Sequence, residues 1–280
     1  MDALDLDGAV VAVTGAARGI GLATAEAFAA AGARPWLGDL DGEAASEAAA
    51  DLGAGARGLS VDVSSRESFA SFLDAVEREA GPPAVLVNNA GIMPLGAFLD
   101  EEDATSRATI DVNLWGVVNG MGLALPGMVK RGRGHVVNVA SMMGKFPIPG
   151  AAVYSATKHA VVGLTAAVRE ELAETGVTVS AVLPGAVRTG LIAGVPLGRG
   201  LPTVDAEDVA RAVVQSCETR NAEVHVPGWL AGYDAAMALT PRPIERAVRR
   251  LLRHDRALTD LDPDARASYD EGVRDQAEPR

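Results

Sequence analysis

Short apolar runs alternate along this chain with longer segments of helical periodicity. The runs are AVVAVT (9–14), ARPWLGD (33–39), ARGLSVD (56–62), AVLVN (84–88), HVVNVA (135–140), VTVSAVL (177–183) and AEVHV (222–226). Between them, segments 19–31, 43–52, 65–80, 104–130, 154–175 and 205–219 place apolar residues at helical spacing. Strands separated by helices in this way predict βαβ units and a parallel sheet. Most runs are apolar throughout rather than alternating, which fits strands covered on both faces. The expected fold is α/β: a Rossmann-like, doubly wound parallel sheet of about seven strands in three α/β/α layers.

No break in this pattern precedes residue 228. PGW at 227–229 closes the last run, and the remainder, 229–280, reads as a C-terminal helical extension with an acidic tail. In PRPIERAVRRLLRHDRAL (241–258), Ile244, Val248, Leu251, Leu252 and Leu258 recur at helical spacing, with Arg246, Arg249, Arg250, Arg253 and Arg256 covering much of the rest. After Asp260 the chain turns acidic and weakly apolar, which predicts a loosely ordered tail.

Composition narrows the classes. With 48% hydrophobic residues but only 4% aromatics, the core must be built from Val, Ala, Leu and Ile. A formal charge of −12 argues against nucleic acid as a partner, which needs a basic footprint. The single cysteine, Cys217, allows no intramolecular disulfide and reads as a buried thiol in a reducing compartment. The start, MDALDLDG, lacks the basic and apolar regions of a signal peptide, and no apolar run reaches membrane-spanning length. A soluble, cytoplasmic protein is expected. The four histidines, at 135, 159, 225 and 254, show no metal-ligand spacing, so no metal is expected.

Candidate chemistry begins with TGAARGIG (14–21), which follows the first run and opens the first helical segment. Glycines at 15, 19 and 21 allow a tight turn and close backbone approach to a pyrophosphate at a helix N-terminus. Asp39 closes the second run, where a carboxylate can accept from adenosine ribose hydroxyls and repel a 2′-phosphate. It favours NAD, whereas Arg18, inside the glycine turn, could pair with the phosphate of NADP. Asp62 ends the third run, placed to meet the adenine amino group.

These motifs, taken with NNAG (88–91), DVNLWG (111–116), VVNVAS (136–141), YSATK (154–158) and PGAVRT (184–189), resemble the short-chain dehydrogenase/reductase family, in order from Leu6 to about Gly228. The resemblance implies one dinucleotide-binding and catalytic domain over 1–228. It implies cofactor contacts from Gly15, Arg18, Gly19, Ile20, Gly21, Asp39, Asp62, Val63, Asn89, Ala90, Gly91, Tyr154, Lys158, Pro184, Gly185, Val187 and Thr189. It also implies a catalytic set of Asn113, Ser141, Tyr154 and Lys158. In that set Ser141 holds the substrate oxygen beside the tyrosine oxygen, and Asn113 fixes a water linking Lys158 to solvent. Pro184, Gly185, Val187 and Thr189 resemble the segment that holds the nicotinamide carboxamide.

The residues support that reading independently. Only 3 of the 25 Lys and Arg residues are lysines, so a lysine at 158 goes against the chain's own habit. Tyr154 and Lys158, at i and i+4 of a helical pattern, share one face. A free tyrosine has a pKa of about 10, too high for a base near neutrality, and a nearby ammonium favours the phenolate. A lowering of ~3 units corresponds to roughly 4 kcal/mol. The same ammonium can donate to nicotinamide ribose hydroxyls, where the wide guanidinium fork would not fit.

Met93, Leu95, Met142, Met143, Phe146, Ile148, Leu191, Ile192 and Val195 are expected near the open end of the site, an adaptable apolar pocket. They imply a lipophilic secondary alcohol or ketone, of steroid, terpenoid or fatty type. Segment 241–258 either lies on an anionic membrane surface, making the protein peripheral to the inner membrane, or packs its apolar stripe on its own domain or a partner subunit; the second is favoured. A homo-oligomer, dimer or tetramer, is expected. The leading reading is an NAD-dependent oxidoreductase. An NADP-dependent ketone or ketoacyl reductase and a non-catalytic dinucleotide-binding scaffold or sensor are the alternatives.

Overall fold

The computed structural model describes residues 3–195, 203–241 and 256–277. Seven strands form one parallel sheet: β1 (Val10–Thr14), β2 (Arg34–Asp39), β3 (Arg57–Ser60), β4 (Val85–Asn88), β5 (Gly134–Val139), β6 (Val177–Pro184) and β9 (Glu223–Val226). Their order is β3-β2-β1-β4-β5-β6-β9. Two-residue strands β7 (Ala186–Val187) and β8 (Thr203–Val204) pair separately. Each long strand coincides with an apolar run of the sequence.

The pleat assigns alternate residues to two cores. Val11 and Val13 join one cluster with Phe28 of α1 (Gly19–Ala30), Ala45 of α2 (Gly42–Leu52), and Val209 and Val213 of α7 (Ala206–Thr219). Val10 and Ala12 join the other with Phe69 of α3 (Arg66–Ala80), Met121 and Met128 of α5 (Gly116–Arg131), and Val161 of α6 (Ala152–Glu171). Both faces are therefore dry, which explains why the strands read as continuous apolar runs.

Helix α4 (Asp103–Ile110) runs through a π-helical turn, Asp111–Trp115, into α5. By length and composition alone the stretch Asp103–Arg131 is long and apolar enough to cross a membrane, which corrects the expectation that no segment reaches that length. Its valines, leucines, methionines and alanines raise the mean hydropathy, and Val117, Met121, Ala124 and Met128 pack in the core beneath the sheet.

The tail departs from the expectation of loose order. After α8 (Leu230–Ala238) come a short helix, Arg256–Thr259, and a longer one, Pro263–Ala277. Asp262 caps the latter, its carboxylate accepting from the N–H groups of Asp264 (3.1 Å) and Ala265 (3.2 Å). Pro263 occupies the first helical position, where no N–H is needed. Most of segment 241–258 lies outside the described residues.

Candidate active site

The order of strands reverses between β1 and β4, and a cleft of about 1200 Å³ opens at the carboxyl ends of the strands there. One end is formed by the glycine turn. No side chain caps the N-terminus of α1, and its first turn carries no acid, so its N–H groups remain available to an anion. A Cβ placed on Gly19 would stand 3.7 Å from Cγ2 of Thr189, filling the space between the turn and the segment after β6. A dinucleotide pyrophosphate fits this cradle.

Asp39 holds the turn in shape. Its carboxylate accepts from the N–H of Ala17 (3.0 Å) and of Asp41 (3.2 Å). The Arg18 side chain is exposed and pairs with Asp41 at 3.4 Å. Asp62 likewise accepts from the backbone and hydroxyl of Ser64 (3.0 and 2.6 Å). Asn89 donates to the carbonyls of Thr14 (2.9 Å) and Gly15 (3.0 Å), tying β4's end to the glycine turn.

Gly15, Arg18, Gly19, Ile20, Asp39, Asp62, Val63, Asn89, Ala90, Gly91, Pro184, Gly185, Val187 and Thr189 all line the cleft. Gly21 does not, which corrects its assignment to the cofactor. A Cβ there would lie 2.1 Å from the Gly15 carbonyl oxygen and 2.8 Å from Cα of Ala16. Gly21 lets the helix approach the preceding backbone rather than a ligand.

At the other end, Ser141 follows β5, and Tyr154 and Lys158 come from α6; all three line the cleft and are buried. The Ser141 hydroxyl oxygen accepts from the N–H of Met143 (3.0 Å), and the same hydroxyl is hydrogen-bonded to Tyr154. Lys158 Nζ lies 5.6 Å from the centre of the Tyr154 ring and donates to the Val139 carbonyl at 2.8 Å.

The electrostatics correct one expectation. Burial pushes the Tyr154 hydroxyl above its ordinary range, a hydrogen bond with Ser141 pulls it partly back, and nearby Tyr269 adds to the rise. Lys158 is itself drawn down to about 8 by burial. In the protein alone, loss of water around both groups outweighs the attraction expected to favour the phenolate.

Asn113 stands in the π-helical turn, fully buried and behind the cleft wall rather than on it. Its side-chain oxygen accepts from the Ile92 N–H (2.8 Å), and its amide donates to the Ile92 carbonyl (2.8 Å) and to Thr157 Oγ1 (3.4 Å). It braces the segment that follows β4.

Met93, Leu95, Met142, Met143, Phe146, Ile148, Leu191, Ile192 and Val195 line the cleft as anticipated. The sequence reading missed Trp229 and Tyr233 around α8, and a whole wall from the C-terminal helix. Phe146 meets Tyr233 edge-on at 5.2 Å. The missed helix had a signal: an Asp-Pro start, and Tyr269, Val273 and Ala277 at i+4 spacing. Glu223, His225 and Asp234 also gather, but Lys145 Nζ lies 2.6 Å from Glu223 and 3.7 Å from Asp234, so an ammonium already neutralises that cluster.

Residues 9–197 match the family described as short chain dehydrogenase. The chain is 34% identical over 230 residues to estradiol 17-beta-dehydrogenase 11 of Rattus norvegicus, covering 80% of this chain and 77% of that protein. It is 34% identical over 223 residues to the 3-oxoacyl-(acyl-carrier-protein) reductase FabG of Vibrio cholerae, covering 75% and 90%. Among solved structures, a short chain dehydrogenase/reductase from Burkholderia phymatum in complex with NAD superposes with a TM-score of 0.75 at 28% identity, covering 82% of this chain and 92% of that one. The 3-ketoacyl-(acyl-carrier-protein) reductase of Brucella melitensis, complexed with NADH, gives 0.72 at 30% identity, covering 79% and 97%. With the fold, the strand-end cleft and a match over most of its length in agreement, the chain belongs to the short-chain dehydrogenase/reductase family and is an oxidoreductase of that family.

Proposed function

We propose that the protein oxidises a lipophilic secondary alcohol to a ketone, or catalyses the reverse, with NAD(H) as its dinucleotide. The observation that carries this reading is the convergence of Ser141, Tyr154 and Lys158 at one end of a cleft whose other end is the uncapped N-terminus of α1. When bound, NAD supplies the hydride acceptor and a positively charged ring. Tyr154 then takes the hydroxyl proton of the alcohol. Ser141, already hydrogen-bonded to Tyr154, orients the substrate oxygen. Lys158 carries a positive charge next to the phenol and passes the proton outward. Asn113 keeps the wall behind them rigid. The apolar lining from Met93 to Val195 excludes water and receives the body of the substrate.

Asp39 supports NAD over NADP. Its carboxylate is fixed by two backbone donors at the end of β2, on the cleft wall, and Arg18 is engaged by Asp41. One observation favours the second reading, an NADP-dependent ketone or ketoacyl reductase. The Arg18–Asp41 pair is exposed and its contact long, so it releases the guanidinium at little cost. A homo-oligomer is consistent with the exposed Ile110, Trp115 and Val129.

The test is a panel of lipophilic secondary alcohols with NAD and with NADP, read by absorbance of the reduced nicotinamide. Tyr154→Phe should lower kcat by about 10³-fold or more while dinucleotide affinity stays nearly intact. Comparable turnover in that variant would sink the proposed role.

A further inference from the structure

The reaction proposed above uses nothing beyond residue 233, yet the chain returns to the cleft. Ala265, Ser268, Tyr269, Gly272, Val273 and Gln276 all line it. Their spacing, alternately three and one, is a single stripe of the C-terminal helix Pro263–Ala277. Three of them, Ala265, Ser268 and Gly272, are among the smallest residues available.

What fixes the helix is a buried cation. Arg266 is 0% exposed. Its Nε donates to Asp270 (2.9 Å), and Nη1 to the carbonyls of Leu191 (3.0 Å) and Ala193 (3.3 Å). Nη2 donates to the Met93 carbonyl. Tyr269, its ring 4.5 Å from the guanidinium, accepts from the Met93 N–H at 2.8 Å. The Asp262 N–H donates to the Gly194 carbonyl (2.9 Å). Gly194 has φ of +72°, and a Cβ on it would lie 2.4 Å from the Asp262 carbonyl oxygen.

These contacts join the two cleft-lining segments that follow β4 and β6, the ones carrying Met93, Leu95, Leu191 and Ile192. A tail that merely covered apolar surface would need only apolar contacts. A desolvated guanidinium serving three carbonyls and a carboxylate is justified where geometry must be held, since removing it leaves buried acceptors unpaired.

We propose that the helix Pro263–Ala277 is a fixed wall of the substrate pocket that determines specificity. Arg266 is the residue that positions it, and the small residues Ala265, Ser268 and Gly272 leave room for a bulky lipophilic body beyond the reacting carbon. The substrate class rests on the alcohol oxidation proposed above; the wall itself does not.

Gly272→Leu tests the wall without threatening the fold. A Cβ there meets nothing within 4 Å, and leucine is the better helix former. The probes are decahydronaphthol, a fused two-ring secondary alcohol, and isopropanol. Two quantities are measured: kcat/KM with saturating NAD, and the dissociation constant of decahydronaphthol from tryptophan fluorescence, since Trp229 lines the same cleft. The expected result is a loss of about tenfold or more in both quantities for decahydronaphthol, through KM rather than kcat. Isopropanol kcat/KM and NAD affinity should change by less than about threefold. Arg266→Met should lower the decahydronaphthol-to-isopropanol ratio similarly, by loosening the wall. Unchanged decahydronaphthol binding and an unchanged ratio in Gly272→Leu would overturn the proposal, whatever Arg266→Met does. Binding weakened by Gly272→Leu in a protein that oxidises neither alcohol would keep the wall and refute the reaction.

Discussion

The Lys158 ammonium stands 5.6 Å from the centre of the Tyr154 ring and donates one of its hydrogens to the Val139 carbonyl at 2.8 Å. That bond anchors the charge to the end of β5 and leaves two donors for other partners. Lys158→Met should cut kcat/KM for alcohol oxidation by about 10²-fold or more. The protein's pH-stability profile should change as well. Burial lowers the ammonium from its ordinary value to about 8, so between pH 8 and the unfolded value the unfolded chain holds a proton that the native chain has lost. The native protein therefore gains stability as pH rises through that window, approaching about 1.4 kcal/mol per pH unit, and the methionine variant lacks this gain. Parallel denaturation curves for the two proteins from pH 7.5 to 9.5 would count against the buried, charged lysine.

Asp39 holds Ala17 and, in the function proposed above, has a second duty toward the ribose; the two separate by experiment. Asp39→Asn keeps an acceptor for the Ala17 N–H, gives up the one for the exposed Asp41 N–H, and removes the charge. Its preference for NAD over NADP should fall by about tenfold, which corresponds to ~1.4 kcal/mol, with stability little changed. Asp39→Ala should lose both the preference and part of the stability, because two backbone donors lose their acceptor. Titration of both dinucleotides by fluorescence decides. Equal affinity of the unmodified protein for NAD and NADP would end the argument.

The two ends of the chain differ in how much the sequence discloses. The central strands β1, β4, β5 and β6 are short apolar runs because both faces are covered, and periodicity sees that directly. Tyr154 and Lys158 were legible from their helix spacing and Ser141 chiefly through the family resemblance; all three line one cleft end. Gly21 was misread because glycine spacing does not say whether a backbone approaches a ligand or another backbone. Lys158 was read by its charge, while burial, which depends on the whole fold, sets its proton affinity. The C-terminal helix escaped because its docking rests on Arg266, Tyr269 and Asp270 rather than on an apolar stripe. A residue such as Arg266 reads as surface in any hydropathy pattern.

Gly21 offers a test of packing against chemistry. Gly21→Ala puts a methyl group 2.1 Å from the Gly15 oxygen, backbone against backbone, so the glycine turn must shift. A loss of about 2–3 kcal/mol in unfolding free energy is expected, with weaker dinucleotide binding as its consequence. Gly163→Ala, on α6 where a Cβ meets nothing within 4 Å, should instead stabilise by about 0.5–1 kcal/mol. Urea unfolding of both variants checks the contrast. A neutral Gly21→Ala would show that the turn has slack.

His135 should contribute to the acid limb of stability. Its ring is fully buried, with Nδ1 2.8 Å from Thr178 Oγ1 and Nε2 3.2 Å from Ser216 Oγ. Burial lowers its pKa to about 3, helped by the positive charges of Arg220 and Arg169. It is neutral in the native protein at neutral pH, whereas in the unfolded chain it takes a proton near pH 6.5. Below that value the unfolded state binds a proton that the native state refuses, so stability falls as pH drops from about 6.5 towards 3, at up to ~1.4 kcal/mol per unit. His135→Gln removes the titration and keeps polar atoms for Thr178 and Ser216. Its stability at pH 7 should be lower or equal, and its decline between pH 6 and pH 4 shallower by about that slope. Denaturant midpoints at several pH values measure the difference, to which the carboxylates, common to both proteins, contribute nothing. Acid limbs that run parallel would show that His135 is protonated inside the fold, against the two arginines that face it.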